Sequence, residues 1–381
     1  MRPEGDTGVQ THVRTVVTHL QERGLKCELI TPYCAPLWQV YPVFGLRKIF
    51  NRLSGVLSVW WYRYWHALFL QHALSRRLRT GADCVIYAQC PLAVQAALRA
   101  RVSNRQRVVM VVHFNISQAD EWAEKGVIPH EGALFRAIQK FETRILSQVD
   151  ALLFVSDFMR RELERRIPGL TRVPTRVIPN FLQDPGEPDG TLAKADLITV
   201  GTLEYRKNQR YALEIVHAAK ARGRRITLTV VGDGPDRAML EKLANELEIV
   251  DQVRFAGFVP RAAKLMRAHR ACLHVARIEN LPLTLIEALA RGLPLFAPAV
   301  GGMPEVFHDG CEGRFIPLDD AKAAARLVVD WLDSPPVMAQ AGQAARARFG
   351  ACFEATRVVQ DLLAFLQGPV EGDALPFGVC R

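Results

Sequence analysis

Two acids frame the densest block of chemistry in the chain, Glu279-Asn-Leu-Pro-Leu-Thr-Leu-Ile-Glu287. Pro282 suits the first turn of a helix, where its missing N–H is not needed. The exposed N–H groups of such a start, with the helix dipole, favour a phosphate or pyrophosphate. Glu279 then falls in the loop before that site, and Glu287 about a turn and a half inside the helix. Two acids beside an anion pocket do not serve phosphate alone. They suit a phosphate-linked molecule that carries hydroxyls, such as a nucleotide sugar. The alternative is a surface acid ahead of a helix and a mid-helix acid in a solvated pair.

Upstream, Val200-Gly-Thr-Leu-Glu-Tyr-Arg-Lys-Asn208 runs from a strand through a glycine into a loop ending in Arg206 and Lys207. Two cations at a strand's carboxyl end neutralise a departing diphosphate, although a basic surface loop has the same composition. Val231-Gly-Asp-Gly-Pro235 is a second glycine turn after a strand and lacks the spacing of a dinucleotide fingerprint. Downstream, Gly301 and Gly302 close the segment that begins at Arg291. They either bring backbone N–H groups to a ligand or form an ordinary connection between a strand and a helix.

The motifs G-T-L-x-x-R-K-N, V-G-D-G-P, F-A-G-F-V, E-N-x-P-x-x-x-x-E-A-L-A-x-G-x-P and G-G-M-P-E occur in that order. The set resembles the retaining glycosyltransferases of family 4, which have the GT-B fold. The resemblance is dense from Leu197 to about Pro317 and loose in the first half. It implies a hexosyltransferase-type enzyme whose C-terminal domain holds a nucleotide-diphosphate sugar. Glu279 would then contact hydroxyls of the transferred sugar, Glu287 the ribose hydroxyls, and Lys207 the diphosphate. Backbone N–H groups of Asn280 and Leu281 would meet the pyrophosphate. The family often carries an arginine directly after the loop glycine. This chain has Thr202 there, and Arg206 is the candidate for that charge. In the first half, Gly8 is similar to the end of the family's glycine-rich loop near the donor phosphates. His113 is similar to a histidine near the transferred sugar; a lone histidine after a buried strand is otherwise structural.

The resemblance implies retention at the anomeric carbon. The acceptor hydroxyl attacks from the leaving group's face, and positioning and charge stabilisation matter more than a dedicated base. No Asp-x-Asp motif occurs in a donor-site context, so no metal or other cofactor is expected. A sugar-nucleotide epimerase, an inverting transferase of the same fold, or an inactive transferase-like partner subunit are the competing readings.

The elements that must position these residues alternate between strand and helix, which argues for parallel sheets covered by helices. Strands are expected at Cys27–Thr31, Cys84–Tyr87, Val108–His113, Ala151–Val155 and Arg176–Ile178, with helices at Val9–Arg23, Phe50–Arg79, Leu92–Arg101, Leu134–Ser147 and Asp157–Arg166. The rhythm restarts with strands at Leu197–Val200, Thr227–Val231, Val253–Phe255, Ala271–Val275, Leu295–Ala297 and Arg314–Ile316. Its helices are Gln209–Ala221, Arg237–Leu247, Ala262–Arg267, Leu283–Ala290, Ala321–Leu332 and Pro336–Arg348. The fold class is therefore α/β: two doubly wound, Rossmann-like domains facing across a cleft, with ligands at the carboxyl ends of the strands. Residues 1–182 form the N-terminal, acceptor-side domain, 183–193 a linker rich in Pro, Gly and acids, and 194–350 the nucleotide-sugar domain. A last helix, Phe353–Gln367, returns to the first domain in this family. The helix signal at Gly8 arrives with only polar residues before it, so the family's first strand is expected to be missing.

With 381 residues, 49% hydrophobic and 23% charged, the chain is long enough for two globular domains and excludes a disordered or collagen-like one. Its eight cysteines form no C-x-x-C pair, so reduced thiols and a cytoplasmic location are expected. No signal-peptide pattern or run long enough to span a bilayer is present. The net charge of +10 is concentrated in residues 1–190, with 25 Lys/Arg against 17 Asp/Glu. Between Arg47 and Arg107 eleven basic residues meet one acid, Asp83. Without a helix-turn-helix, zinc-finger or RNA-recognition signature, nucleic acid is not the expected partner. Phe44–Arg79 combines this charge with Val59-Trp-Trp-Tyr-Arg-Tyr-Trp65, a composition suited to the headgroup region of an anionic membrane. The expected acceptor is a saccharide or lipid-linked saccharide, with the protein peripheral on the inner face of the cytoplasmic membrane. The alternative places the aromatics in the core and the arginines on a solvated face.

Overall fold

The computed structural model describes residues 8–186 and 193–368. The chain divides into two compact units, the first running to Pro179 and regaining the chain from Val359, the second covering Asn180–Val358.

In the first unit, helices α1 (Gly8–Glu22), α2 (Leu37–Leu53) and α3 (Gly55–Arg77) precede the first strand. Then come β1 (Cys84–Ala88), α4 (Pro91–Ala100), β2 (Gln106–Val112), α5 (Gln118–Glu124), α6 (Ala133–Leu146), β3 (Ala151–Phe154), α7 (Asp157–Arg166) and β4 (Thr175–Val177). The four strands are parallel in the order β1-β2-β3-β4. In β2, Val108 through Val112 are fully buried. A continuous apolar run is what a parallel strand covered on both faces requires.

Two expectations fail here. Cys27–Thr31 is not a strand. Its burial does not alternate as a strand's would, with Leu25, Glu28 and Leu29 exposed and Cys27 and Ile30 half-buried. A strand also needs a hydrogen-bonding neighbour, and among the described residues none ladders to it. Instead Thr31 caps a 3₁₀ turn at Pro32–Cys34 by accepting the Tyr33 N–H at 3.2 Å. Phe50–Arg79 is not one helix: its first residues end α2 and most of the rest forms α3. It breaks at Ser54, whose backbone is extended (φ −161°, ψ 122°) and whose hydroxyl accepts the Leu57 N–H at 3.4 Å. The next residue must be glycine, because a Cβ there would lie 2.0 Å from the Val127 carbonyl oxygen.

The second unit carries β5 (Ala195–Val200), α8 (Gln209–Ala221), β6 (Leu228–Val231), α9 (Arg237–Glu246), β7 (Val253–Gly257), β8 (His269–Leu273) and α10 (Leu283–Leu289). It continues with β9 (Leu295–Ala297), α11 (Met303–Val306), β10 (Gly313–Phe315), α12 (Ala321–Leu332) and α13 (Pro335–Cys352). Its six parallel strands are ordered β10-β9-β8-β5-β6-β7. The neighbouring strands β5 and β8 sit at the centre, with Ile198 beside Cys272. The loops leaving their carboxyl ends therefore emerge side by side. Ala262–Ala268 winds as a 3₁₀ helix and not the expected α-helix.

Helix α14 (Ala355–Gln367) starts in the second unit and ends in the first, where Arg107 donates to the Leu366 carbonyl at 3.0 Å. The boundary at Asn180 precedes the expected one because Asn180 donates to the Leu281 carbonyl (2.8 Å) and Leu182 exchanges backbone hydrogen bonds with Phe353 and Ala355. Residues 183–186 are anchored through the Asp184–Arg346 ion pair at 2.6 Å, while 187–192 of the expected linker lie outside the described residues.

Candidate functional site

Glu279 occupies the loop between β8 and α10 and is only 8% exposed. Its carboxylate is ion-paired to the Lys207 ammonium, with Arg206 at 3.4 Å. His274 Nε2 stands 3.7 Å away, an electrostatic contact and not a hydrogen bond. Arg206 also holds Glu204 at 3.0 Å. Burial alone would push the Glu279 carboxyl up; Lys207, His274 and Arg206 together hold it well below the usual carboxylate range. Burial pulls His274 down, against the pull of Glu279. The cluster therefore presents an ionised carboxylate between two half-buried cations, with an imidazole nearby.

The two loops are tied to each other. Asn208 donates to the Val275 carbonyl at 3.1 Å, and the Arg277 N–H to the Arg206 carbonyl at 3.0 Å. The Arg277 guanidinium lies 4.7 Å from the Tyr205 ring centroid. Asn208 ends the 3₁₀ turn Tyr205–Lys207 in the left-handed region, φ 57°, which asparagine tolerates better than most residues. The glycine turns brace this arrangement. A Cβ on Gly232 would come within 1.9 Å of the Gly201 oxygen, and one on Gly234 within 2.3 Å of the Leu203 oxygen. Gly301, with φ +60°, lies so close to Glu279 that a Cβ would be 2.2 Å from its carbonyl oxygen. The Gly302 N–H donates to that same oxygen at 2.9 Å. The glycine pair thus supports the Glu279 loop, and the Gly302 N–H is already spent.

The other expected donor residues are dispersed along these loops. Thr202 is exposed, with its carbonyl accepting from Gln209 at 3.0 Å. Asn280 and Leu281 are buried between Glu279 and α10. Pro282 caps α10 from just outside the helix, not from its first turn. Glu287, within α10, is set apart: burial raises its carboxyl to about 6, with Arg291 opposing. A cavity of about 810 Å³, lined by Asp184, Arg270, Arg291 and Arg346 among others, opens elsewhere. Arg270 begins β8 and Arg291–Pro294 leads into β9, so this cavity is at the strands' amino ends.

In the first unit, His113 follows β2 and its Nε2 is 3.1 Å from Gln89 Oε1. The ring of His12 meets it edge-on at 4.8 Å, and His12 Nε2 is 3.0 Å from the Tyr87 hydroxyl. Burial, then the neighbouring His12, holds His113 well below its ordinary value; burial alone brings His12 down to about 4. Both rings are therefore neutral at physiological pH. Gly8 is the exposed first residue of α1, one turn from His12. Sequence reasoning passed over His12, Tyr87, Gln89 and His274. His274 carries the signal that singled out His113, a histidine at the carboxyl end of a buried strand.

The family model for glycosyltransferase family 4 matches residues 7–183, and that for glycosyl transferases group 1 matches residues 189–348. The chain belongs to glycosyltransferase family 4. The family-4 chain is 28% identical over 264 residues to the glycogen synthase of Mycobacterium tuberculosis, covering 64% of itself and 63% of that enzyme. It is 29% identical over 162 residues to the putative colanic acid biosynthesis glycosyltransferase WcaL of Salmonella typhimurium, covering 40% and 38% of the two chains. Among solved structures, HepE of Anabaena, in complex with UDP and glucose, superposes with a TM-score of 0.65 at 15% identity over 97% of each chain. The family-4 chain is an α/β protein of the GT-B fold. The matched part spans somewhat less than two thirds of the glycogen synthases it resembles.

Proposed function

We propose that this protein transfers a hexosyl group from a nucleoside-diphosphate sugar to a saccharide or lipid-linked saccharide, with retention, in surface polysaccharide or lipopolysaccharide assembly. The observation that carries the reading is the buried Glu279 carboxylate held between Lys207 and Arg206. A carboxylate fixed beside two cations suits a molecule that joins a hydroxyl-rich sugar to a diphosphate. Lys207 and Arg206 offset the charge that grows on the departing diphosphate. Glu279 accepts hydrogen bonds from sugar hydroxyls, and Glu287 from the ribose. The acceptor oxygen bonds to the anomeric carbon as the bond to the diphosphate oxygen breaks, and that leaving group takes the acceptor's proton. His113, neutral and held by Gln89, is suited to a hydrogen bond with the sugar and not to charge stabilisation. The two cations supply the positive charge, so the reading includes no resident metal, and EDTA is expected to leave the rate unchanged. The names of the relatives, a glycogen synthase and a colanic acid transferase, support a polysaccharide role.

Thermal-shift screening with UDP, GDP and their sugar conjugates tests the donor site, because a ligand that binds only the folded state raises its stability. One nucleotide should raise the Tm of the wild type and not that of Glu287→Ala. A shift of equal size in both proteins would rule out the assigned ribose contact, and no shift with any nucleotide the donor reading. The anomeric configuration of the product, read by NMR, distinguishes retention from inversion.

A further inference from the structure

Of the twenty large apolar side chains exposed among the described residues, eleven lie between Leu37 and Leu68. They form two stripes at helical spacing. On α2, Trp38 (75% exposed), Ile49 and Leu53 (73%) follow one face. On α3, Trp60, Tyr64 and Leu68 repeat every fourth residue, and the Trp60 and Tyr64 rings stack at 5.8 Å. The opposite face of α3 is apolar too: Val59, Phe69, Leu70 and Leu74 are buried in the unit's core. A helix apolar on both faces is unusual in a water-facing position. Isolated exposed apolar residues need no explanation, whereas a contiguous patch does.

Charge identifies what covers the patch. From residue 29 to residue 82 the chain has seven Lys/Arg and no Asp or Glu. Arg52 is exposed beside Leu53, and Arg76 and Arg79 are exposed at the far end of α3. A cavity of about 430 Å³ beside the α3 stripe combines Tyr64, Leu68 and Phe141 with Arg99. Apolar walls with a guanidinium group match an acyl chain beneath an anionic headgroup. No described helix is long and apolar enough to cross a membrane, so the helices would lie on the surface.

We propose that the α2–α3 elbow is a docking surface for an anionic lipid bilayer. Arg47 and Arg63 are not part of it: Arg47 stacks 4.6 Å over Tyr62, and Arg63 lies 5.1 Å over Phe141 and donates to Gln118. Trp61 is likewise turned inward, donating to the Val43 carbonyl at 2.7 Å. The aromatic motif is therefore divided, with Trp60 and Tyr64 for the membrane and the rest for the core. This inference does not rest on the donor reading, and its test reads binding alone.

The test is co-sedimentation of the full chain with phosphatidylcholine vesicles, with and without phosphatidylglycerol. The wild type should bind the anionic vesicles at least about tenfold more tightly, since each surface cation adds about 1 kcal/mol. The pairs Leu53→Asn with Leu57→Asn, and Trp60→Ser with Tyr64→Ser, should each lower binding about tenfold or more, whereas Phe258→Ser, in the second unit, should not. Equal binding to both vesicle types, or elbow variants that bind like the wild type, would overturn the proposal. Should a variant fold poorly, tryptophan quenching of the wild type by brominated phosphatidylcholine decides: absence of quenching counts against docking. A concentration-dependent dimer that the variants abolish, without vesicle binding, would assign the face to a second copy and overturn the lipid reading.

Discussion

The rings of His12 and His113 meet edge-on, 4.8 Å apart, and burial keeps both neutral. His12 lies one turn into α1 and His113 at the end of β2, so the contact fastens the first helix of its unit to the sheet. Protonating either ring would place a charge in a dry site against its neighbour.

Stability should therefore fall with acid in a defined window. The folded His12 value, about 4, is below the ordinary 6.5. Its contribution is fully present above 6.5 and is lost as the pH drops toward 4, where the unfolded chain binds protons that the folded chain refuses. The raised carboxyls Glu142 and Glu287 act with the opposite sign, losing their contribution as pH rises, but they are common to both proteins compared. Melting curves between pH 4 and 7 should fall less steeply for His12→Gln than for the wild type, by several degrees over the range. Parallel curves would contradict the assignment.

Lys207→Met should cost about 3 kcal/mol, because it leaves the buried Glu279 with the more distant Arg206, at 3.4 Å, and His274, at 3.7 Å. The double variant Lys207→Met with Glu279→Leu should lose less than the sum of the two single variants. Urea unfolding of the four proteins measures the coupling, and strict additivity would show that the pair is not an energetic unit.

Gly301→Ala and Gly310→Ala separate backbone strain from the brace behind the site. Both glycines have positive φ, +60° and +79°, but only at Gly301 would the added Cβ collide, with the Glu279 oxygen. Gly310→Ala should cost about 1 kcal/mol. Gly301→Ala should cost more and should also weaken nucleotide binding by about tenfold or more, because the Glu279 loop must move. Equal nucleotide affinity in the two variants would remove Gly301 from the support of the site.

Glu287 sets a pH dependence on the proposed ribose contact. Its carboxyl, raised to about 6 by burial, loses its charge just below neutrality. Nucleotide affinity should fall as pH drops through about 6, and the same titration of Glu287→Gln should be flat. Isothermal titration across that range makes the comparison; identical profiles would place the titrating group elsewhere.

Elements whose ends are set by nearby residues were legible in the sequence. Helix α7 runs from Asp157 to Arg166 as expected because Ser156 caps it, accepting the Met159 N–H at 3.1 Å. Helix α12 begins at Ala321 because Asp320 caps it. The acid–cation grouping of Glu279, Lys207 and Arg206 was legible only as two separate motifs; the pairing of β5 with β8 brings them together. What depended on distant chain was hidden. The close approach of Val127 to Gly55 depends on chain more than seventy residues on, and among the described residues Cys27–Thr31 has no laddering neighbour. The inward and outward halves of the aromatic run could not be sorted before the packing of α2 and α4 against α3 was known. His12 escaped notice because its importance lies in its contact with His113, far along the chain.

The cross-bonds from Asn208 to Val275 and from Arg277 to Arg206 bear on the speed of the first encounter with a donor. Groups already held in place by the fold need no rearrangement as a ligand arrives, so little conformational freedom remains to be lost at this end of the sheet. If the diphosphate binds here as proposed, its association should approach the rate set by diffusion and electrostatic attraction.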